Sequence, residues 1–173
     1  PFYHKLGSIP HKRHTQFRAP DGSLYREEVM GTRGFSGIQS ILYHRHPPTE
    51  VKHVEPLADL QVAFADFGGV RHRHFKSLNL PVGGDGYSAR RVWLGNSDVT
   101  IGVARPTEAM DYYYRNGDNW EVLFVHQGTG RLESIFGWLD FGPGDYLVIP
   151  VGTTYKLHFD SGDNRLLVIE STT

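Results

Sequence analysis

The chain has 173 residues, of which 39% are hydrophobic and 13% aromatic, and this is enough to bury one substantial core and leave an arm. Lys and Arg number 18 against 19 Asp and Glu, and no basic run is long enough to follow a phosphate backbone, so nucleic acid is not an expected partner. The sequence has no cysteine, no apolar run near the length of a membrane span and no secretory leader pattern, which predicts a cytoplasmic protein without a membrane partner.

The first segment is predicted to be an extended arm. Residues 1–14 are mixed and basic without periodicity, and Pro1 is a plausible start after removal of an initiator methionine. Residues 20–23, Pro-Asp-Gly-Ser, form a turn sequence because Pro fixes one backbone dihedral and Gly accepts a positive one. The turn predicts a hairpin between residues 15–18 and 24–30.

Three glycines follow this hairpin and predict a flexible passage before the apolar stretch at residues 38–43. They are Gly31, Gly34 and Gly37. We therefore expect an arm and hairpin at residues 1–35 and a β-barrel at residues 36–173.

Two His-x-His pairs interrupt the next part of the chain, at His44 and His46 and at His72 and His74. On a strand, each pair would place both imidazoles on one face, as a metal site can use. Alternatively, the first pair is a polar strand end before two prolines, and the second belongs to a basic run. Nothing in the sequence requires the four histidines to meet.

The central part of the chain is predicted to be extended, with one clear hairpin. Residues 51–69 show neither strict alternation nor a helical stripe, and residues 78–87 have the composition of a loop. Residues 89–94 and 99–104 are predicted strands around Gly-Asn-Ser-Asp.

Glycine and proline divide residues 116–159 into four predicted strands, at residues 122–125, 132–136, 146–149 and 155–159. Gly128 and Gly130 predict a tight hairpin between the first two. Residues 141–145 and 150–152 supply the later turns, and residues 166–170 predict a last strand. Short strands joined by such turns predict an all-β fold, a jelly-roll barrel or β-sandwich.

This stretch resembles the cupin family, whose motifs read G-x5-H-x-H-x3,4-E-x6-G and G-x5-P-x-G-x2-H-x3-N. The structural turns are kept at Gly128, Gly144, Pro150 and Gly152. The metal-binding positions are degenerate: Glu121 remains, and the motif's histidines are replaced by Tyr114 and Asn116 (or Arg115 and Gly117 with the other spacer) and by Tyr155. The resemblance implies a barrel that binds no metal and no cofactor, with no catalytic residue in this chain.

Nearly the whole chain also resembles the amino-terminal half of bacterial homogentisate 1,2-dioxygenases, most specifically at residues 112–155. The matching runs are YREEVMGTRGFSGIQSILYHRHPPTEV and DYYYRNGDNWEVLFVHQGTGRLESIFGWLDFGPGDYLVIPVGTTY. The resemblance implies a two-part cupin-like protein that uses Fe(II) and O2 to open the ring of homogentisate in tyrosine and phenylalanine catabolism. It places the iron ligands, two histidines and a glutamate, in the carboxy-terminal half, beyond Thr173, where the chain looks cut.

Three functions therefore compete. The first is a non-catalytic half that packs on its catalytic half and on neighbouring subunits of a homo-oligomer, inactive alone, with a small aromatic as the substrate of the full-length protein. The second is a stand-alone, metal-free cupin that binds a small ligand through Glu121, Tyr155 and nearby aromatic residues. The third is a metalloenzyme assembled from the upstream histidines.

Overall fold

The computed structural model describes residues 16–57, 62–65 and 68–172. The chain divides into two compact units, Pro1–Asp59 and Leu60–Thr173. The predicted arm at residues 1–14 lies outside the described residues. None of the helical segments in the described part of the chain has the length and apolarity needed to span a bilayer.

The first unit contains a two-stranded antiparallel hairpin, β1 (Arg26–Arg33) and β2 (Ser36–His44). The predicted turn at residues 20–23 is present, but it closes only a single bridge between Arg18 and Leu24. The long pairing lies after it, so the predicted flexible passage is wrong: Gly31 and Gly37 lie in β1 and β2, and Gly34 forms the turn with a φ of 57°. The predicted boundary at residues 35 and 36 falls inside this hairpin.

The second unit is a sandwich of two antiparallel sheets. Its strands, in chain order, are β3 (Arg90–Gly95), β4 (Val99–Ala104), β5 (Tyr114–Arg115), β6 (Trp120–Gln127), β7 (Gly130–Ser134), β8 (Gly137–Phe141), β9 (Tyr146–Ile149), β10 (Thr154–Phe159) and β11 (Arg165–Ser171). One sheet has the order β5-β10-β7-β8 and the other β3-β4-β11-β6-β9. A short 3₁₀ helix, Ser77–Asn79, precedes them, and the described residues between 51 and 69 contain no strand.

From β4 onward the chain changes sheet at each connection except the β7–β8 hairpin. The predicted tight hairpin between β6 and β7 is therefore wrong, because these strands lie in different sheets and Gly128 turns the chain from one to the other. The predicted β3–β4 hairpin and the strands β9, β10 and β11 are confirmed. This alternation is the jelly-roll arrangement, and the all-β fold class is confirmed.

The core lies between the two sheets and is formed by inward side chains of both sheets, together with Ala89 and Met110 from the connecting segments. It comprises Ala89, Ala104, Met110, Leu123, Val125, Leu132, Phe141, Leu147, Ile149, Tyr155, Leu157, Leu166 and Val168. One carboxylate, Glu121, is fully buried with them. A buried carboxylate requires hydrogen bonds and a nearby positive charge, and these define the site described next.

Candidate functional site

Strands β6 and β10 hold the two innermost polar groups of the barrel, the Glu121 carboxylate and the Tyr155 hydroxyl. Glu121 is the inward residue at the start of β6, and Tyr155 is the inward residue near the start of β10; both side chains are 0% exposed. The Tyr155 hydroxyl donates to Glu121 Oε2 at 2.9 Å. The other carboxylate oxygen, Oε1, accepts a hydrogen bond from Arg90 Nη1.

Arg90, at the start of β3, is the central cation of this cluster. Its Nη1 also donates to Glu170 Oε1 at 2.9 Å, Nη2 donates to the Tyr155 hydroxyl at 2.8 Å, and Nε donates to the Gly86 carbonyl at 3.3 Å. The Arg90 side chain is only 8% exposed, and that of Glu170 is 22% exposed. One guanidinium therefore binds two carboxylates and a phenol, and we call these four residues, Arg90, Glu121, Tyr155 and Glu170, the buried ion cluster.

The protonation states of the cluster follow from burial and charge. Burial, the largest influence, would lower the pKa of Arg90, but its coupling to Tyr155 and Glu121 outweighs burial, and the pKa is raised. Burial also raises the pKa of Tyr155, and Glu121 adds to this while Arg90 opposes it. Arg90 is therefore charged and Tyr155 neutral at physiological pH, so the hydroxyl is a hydrogen-bond donor to Glu121.

Two tyrosine rings close the cluster on the side of the barrel mouth. Tyr114 stacks on Tyr87 with ring centroids 4.3 Å apart and meets the Tyr155 ring edge-on at 5.6 Å. The Arg90 guanidinium carbon lies 5.2 Å from the Tyr87 centroid and 5.4 Å from that of Tyr114, within the range of cation–π attraction. Burial raises the pKa of the Tyr114 hydroxyl, so it too is neutral.

A cavity of about 420 Å³ opens above this pair of rings. Its lining combines the two rings with polar and charged groups, namely Val62, Tyr87, Ser88, Arg90, Val92, Tyr114, Arg115, Asn116, Gly117, Asp118, Asn119 and Glu170. This volume is within the range of small-molecule sites in proteins.

The structure brings three of the four predicted degenerate positions, Tyr114, Glu121 and Tyr155, into direct mutual proximity. Asn116 is different: its Oδ1 accepts hydrogen bonds from the backbone N–H groups of Asp118 and Asn119 at 3.0 and 2.9 Å, so it stabilises a turn. Arg115, which takes the first histidine position when the other motif spacing is used, is exposed. Of the two residues that the motif places near Glu121 as hydrogen-bond donors, Arg115 and Tyr155, the structure shows Tyr155 in that role, and the cation at Glu121 is Arg90.

These residues do not fit a metal ion of the cupin type. Such a site uses several imidazoles with one carboxylate, whereas here both oxygens of Glu121 already accept hydrogen bonds and a guanidinium provides the positive charge. Across the described ranges, no group of three or more His, Cys, Asp or Glu side chains is arranged to hold a metal.

The upstream histidines have other surroundings. Strand β2 ends at His44, whose Nε2 lies 2.7 Å from Glu28 Oε2 on the neighbouring strand, and His46 follows the strand end and is exposed. His72 and His74 lie in an exposed segment without regular secondary structure. Neither pair has both imidazoles on one strand, as the metal hypothesis requires.

We expect the 173-residue chain to bind neither Fe(II) nor Zn(II) stoichiometrically. A metal at Glu121 would have to displace Arg90 from a fully buried carboxylate, which is unfavourable. Equilibrium dialysis followed by elemental analysis measures the bound metal, with Glu121→Gln as the control. One equivalent of metal that is lost in Glu121→Gln would contradict this prediction.

Comparison with known proteins gives a relative that matches almost the whole chain. No protein-family model matches the sequence. A Saccharolobus solfataricus protein named "Putative dioxygenase SSO1533" is 37% identical over 170 residues, which are 98% of this chain and 44% of that protein. The chain thus spans less than half the length of this curated relative.

Solved structures resemble the barrel at low sequence identity. A Ralstonia eutropha chain titled "putative mannose-6-phosphate isomerase" aligns with a TM-score of 0.50 and 18% identity, over 59% of this chain and 100% of that chain. A cupin-2 domain-containing protein from Shewanella frigidimarina aligns with a TM-score of 0.43 and 19% identity, over 51% of this chain and 84% of that chain. With the strand order described above, the alignment at a TM-score of 0.50 shows that the barrel has the same jelly-roll fold as the Ralstonia eutropha chain.

Proposed function

We propose that this chain is the non-catalytic, amino-terminal cupin-like half of an Fe(II)-dependent dioxygenase that opens the ring of homogentisate or a related hydroxylated aromatic. The observation that carries the proposal is the buried ion cluster. It occupies the interior of the barrel where a catalytic cupin would hold its metal, so ring opening requires ligands from another part of the protein. The dioxygenase name of the relative supports the reaction class.

The length of the relative supports the two-part organisation. Because 98% of this chain aligns with 44% of that protein, more than half of a protein of similar length would lie outside the aligned region. We assign the iron ligands, and the groups that bind the aromatic substrate, to that remaining part. In this proposal the ion cluster has a structural role, since it neutralises buried charges inside the barrel and holds β3, β6, β10 and β11 together.

An oxygen-electrode assay tests the proposal. Supplied with Fe(II), ascorbate and homogentisate, the 173-residue chain is expected to consume oxygen no faster than a protein-free blank, because no described group in it is arranged to hold a metal. The protein encoded by the complete reading frame is expected to consume oxygen well above the blank and to lose this activity with an Fe(II) chelator.

Two results would contradict the proposal. Iron-dependent turnover by the 173-residue chain itself would mean that this chain holds the iron, with the upstream histidines as the candidate ligands. No oxygen uptake by the longer protein with homogentisate or other dihydroxylated aromatics would remove the dioxygenase assignment.

A second candidate function rests on the cavity of about 420 Å³ at the barrel mouth. A stand-alone, metal-free cupin could bind a small polar aromatic there, against the Tyr87 and Tyr114 rings and the partly exposed Glu170 carboxylate. Ligand-detected NMR on the 173-residue chain, with Tyr114→Ala as the comparison, distinguishes the two: saturable binding that requires Tyr114, together with a reading frame that ends at Thr173, favours this alternative.

A further inference from the structure

The five-stranded sheet of the barrel has apolar side chains on both of its faces. An antiparallel sheet with one face in water alternates apolar inward and polar outward residues. Its inward residues, such as Leu123, Leu147 and Leu166, belong to the core between the sheets. The outward positions should then be polar, but in two rows that cross four neighbouring strands they are apolar.

One outward row crosses the strands β4, β11, β6 and β9. The register pairs Val103 with Leu167, Leu167 with Phe124 and Phe124 with Tyr146, so the four side chains lie side by side on one face. The Phe124 and Tyr146 rings are in contact, with centroids 4.7 Å apart. Tyr146, on the edge strand, is 64% exposed, whereas Val103, at the opposite end of the row, is only 6% exposed, so the row is open mainly on the side of β9.

A second row lies two residues along each strand and repeats the pattern. The register pairs Ile101 with Ile169, Ile169 with Val122 and Val122 with Val148, and Val148 is 61% exposed. All four residues are aliphatic and β-branched, at positions where water-facing side chains would normally be polar. We call the eight residues of the two rows the outer apolar face.

The outer apolar face also has a depression at one end. Val103, Phe124, Leu166 and Leu167 supply the apolar part of the lining of a cavity of about 220 Å³, and Ser77, His126 and Arg165 supply its polar part. A depression lined by apolar side chains can accept an apolar side chain from another surface.

We propose that the outer apolar face is the docking surface for the remaining, carboxy-terminal part of the longer protein. This inference rests on the proposed function, in which the chain is one half of a larger molecule, as the 44% coverage of the relative suggests. The largest contiguous apolar patch on a typical monomer covers roughly 300–600 Å² and is often a functional site, which makes this face a candidate interface.

The size of the face favours a tethered partner over a second copy of the chain. Two rows of side chains on four strands, with neighbouring strands about 4.8 Å apart, cover a surface area on the order of 300 Å². A stable dimer between free subunits buries about 800 Å² on each partner. A partner on the same polypeptide needs less area, because tethering gives it an effective concentration in the millimolar range.

Matched lysine substitutions on two edge strands test the proposal in the protein encoded by the complete reading frame. Val148→Lys, on β9, charges the outer apolar face, and Leu139→Lys, on β8 of the other sheet, alters a residue of nearly equal exposure, 59% against 61%. Val148→Lys is expected to lower the thermal midpoint by several degrees and to make the connection between the halves sensitive to trypsin. Leu139 pairs with the core residue Leu132, so Leu139→Lys is also expected to lower the thermal midpoint, but it should leave the connection between the halves resistant to trypsin.

Covalent side-chain labelling gives a second, substitution-free measurement. Trp120 lies on the same face of β6 as Val122, two residues before it, whereas Trp138 lies on β8 and is 53% exposed. In the 173-residue chain, Trp120, Tyr146 and Trp138 should all be labelled. In the longer protein, Trp120 and Tyr146 should lose their labelling while Trp138 retains it.

The outcomes separate this proposal from the proposed function. If the labelling is unchanged in the longer protein, or if Val148→Lys behaves as Leu139→Lys does, the docking surface is wrong even when the longer protein consumes oxygen with homogentisate. If the face is protected but no oxygen is consumed, the surface stands and the dioxygenase assignment fails. Protection that appears only with dimerisation, and disappears on dilution to monomer, assigns the face to a second copy and also overturns the proposal.

Discussion

Replacing Arg90 with methionine is expected to lower the free energy of unfolding of the barrel by about 3–5 kcal/mol, because it leaves a buried carboxylate without its cation. Glu121 is fully buried and Arg90 is its cation, while the Tyr155 hydroxyl alone cannot neutralise the charge. For a unit of this size the loss corresponds to a fall in the thermal midpoint of roughly 10 °C or more. Urea and thermal unfolding followed by circular dichroism measure both quantities.

The neighbouring arginine is a matched control. Arg91 is exposed and its Nη1 donates only to the nearby Ser88 and Arg90 carbonyls, so Arg91→Met is expected to change stability by less than about 1 kcal/mol. Adding Glu121→Gln to Arg90→Met should restore part of the loss, since the double variant no longer buries an unpaired charge. If Arg90→Met is as stable as Arg91→Met, the ion cluster does not stabilise the barrel.

Gly128→Ala is expected to destabilise the barrel more than the same change at Gly152, although both glycines have positive φ. Their φ values are 103° and 78°, and an L-residue in such a conformation costs roughly 1–2 kcal/mol. A Cβ at Gly152 would meet nothing within 4 Å, whereas a Cβ at Gly128 would lie 2.2 Å from Asn164 Oδ1. The difference between the two variants therefore measures the close approach at Gly128.

Asn164 cannot move away without losing hydrogen bonds. It is buried, its Nδ2 donates to the Pro106 and Ser161 carbonyls, and its Oδ1 accepts from the Ser161 hydroxyl at 2.6 Å. Disturbing this network adds about 1–3 kcal/mol to the cost at Gly128. Equal urea midpoints for Gly128→Ala and Gly152→Ala would show that Asn164 adjusts freely and that only the backbone conformation matters.

Local patterns in the sequence were sufficient to predict where most of the strands lie, but not which strands pair with one another. Alternation and turn residues predict β3, β4, β9, β10 and β11, because each is a short apolar run between glycines, prolines or polar turns. The same patterns wrongly predict a β6–β7 hairpin, since a glycine turn has the same composition whether the next strand joins the same sheet or the opposite one. β8 was missed because its Gly-Trp-Leu-Asp run, which is exposed in the structure, does not alternate between apolar and polar residues.

The residues of the candidate site also divide into those that a local pattern predicts and one that it does not. The cupin motif identifies Glu121 and Tyr155 because their spacing to the motif's glycine and proline turns is local information within one stretch of chain. Their cation, Arg90, is 31 residues from Glu121 and is one of 18 Lys and Arg residues in the chain. Only the pairing of β3 with β4 and of β4 with β11 brings it into the barrel, so a long-range register that the sequence pattern does not contain decides which basic residue enters the core.

The position of β11 between β4 and β6 has a consequence for biosynthesis. In the larger sheet, β11 lies between β4 and β6. The β3–β4 pair and the β6–β9 pair are therefore joined only when β11, the last strand, is in place. On the ribosome, the β3–β4 hairpin can form early, but it keeps an open strand edge and an uncovered apolar face until residue 171 has emerged. Folding of this barrel during translation is therefore delayed until its last strand has emerged, and aggregation-prone strand edges stay exposed for most of the time that synthesis of the barrel takes.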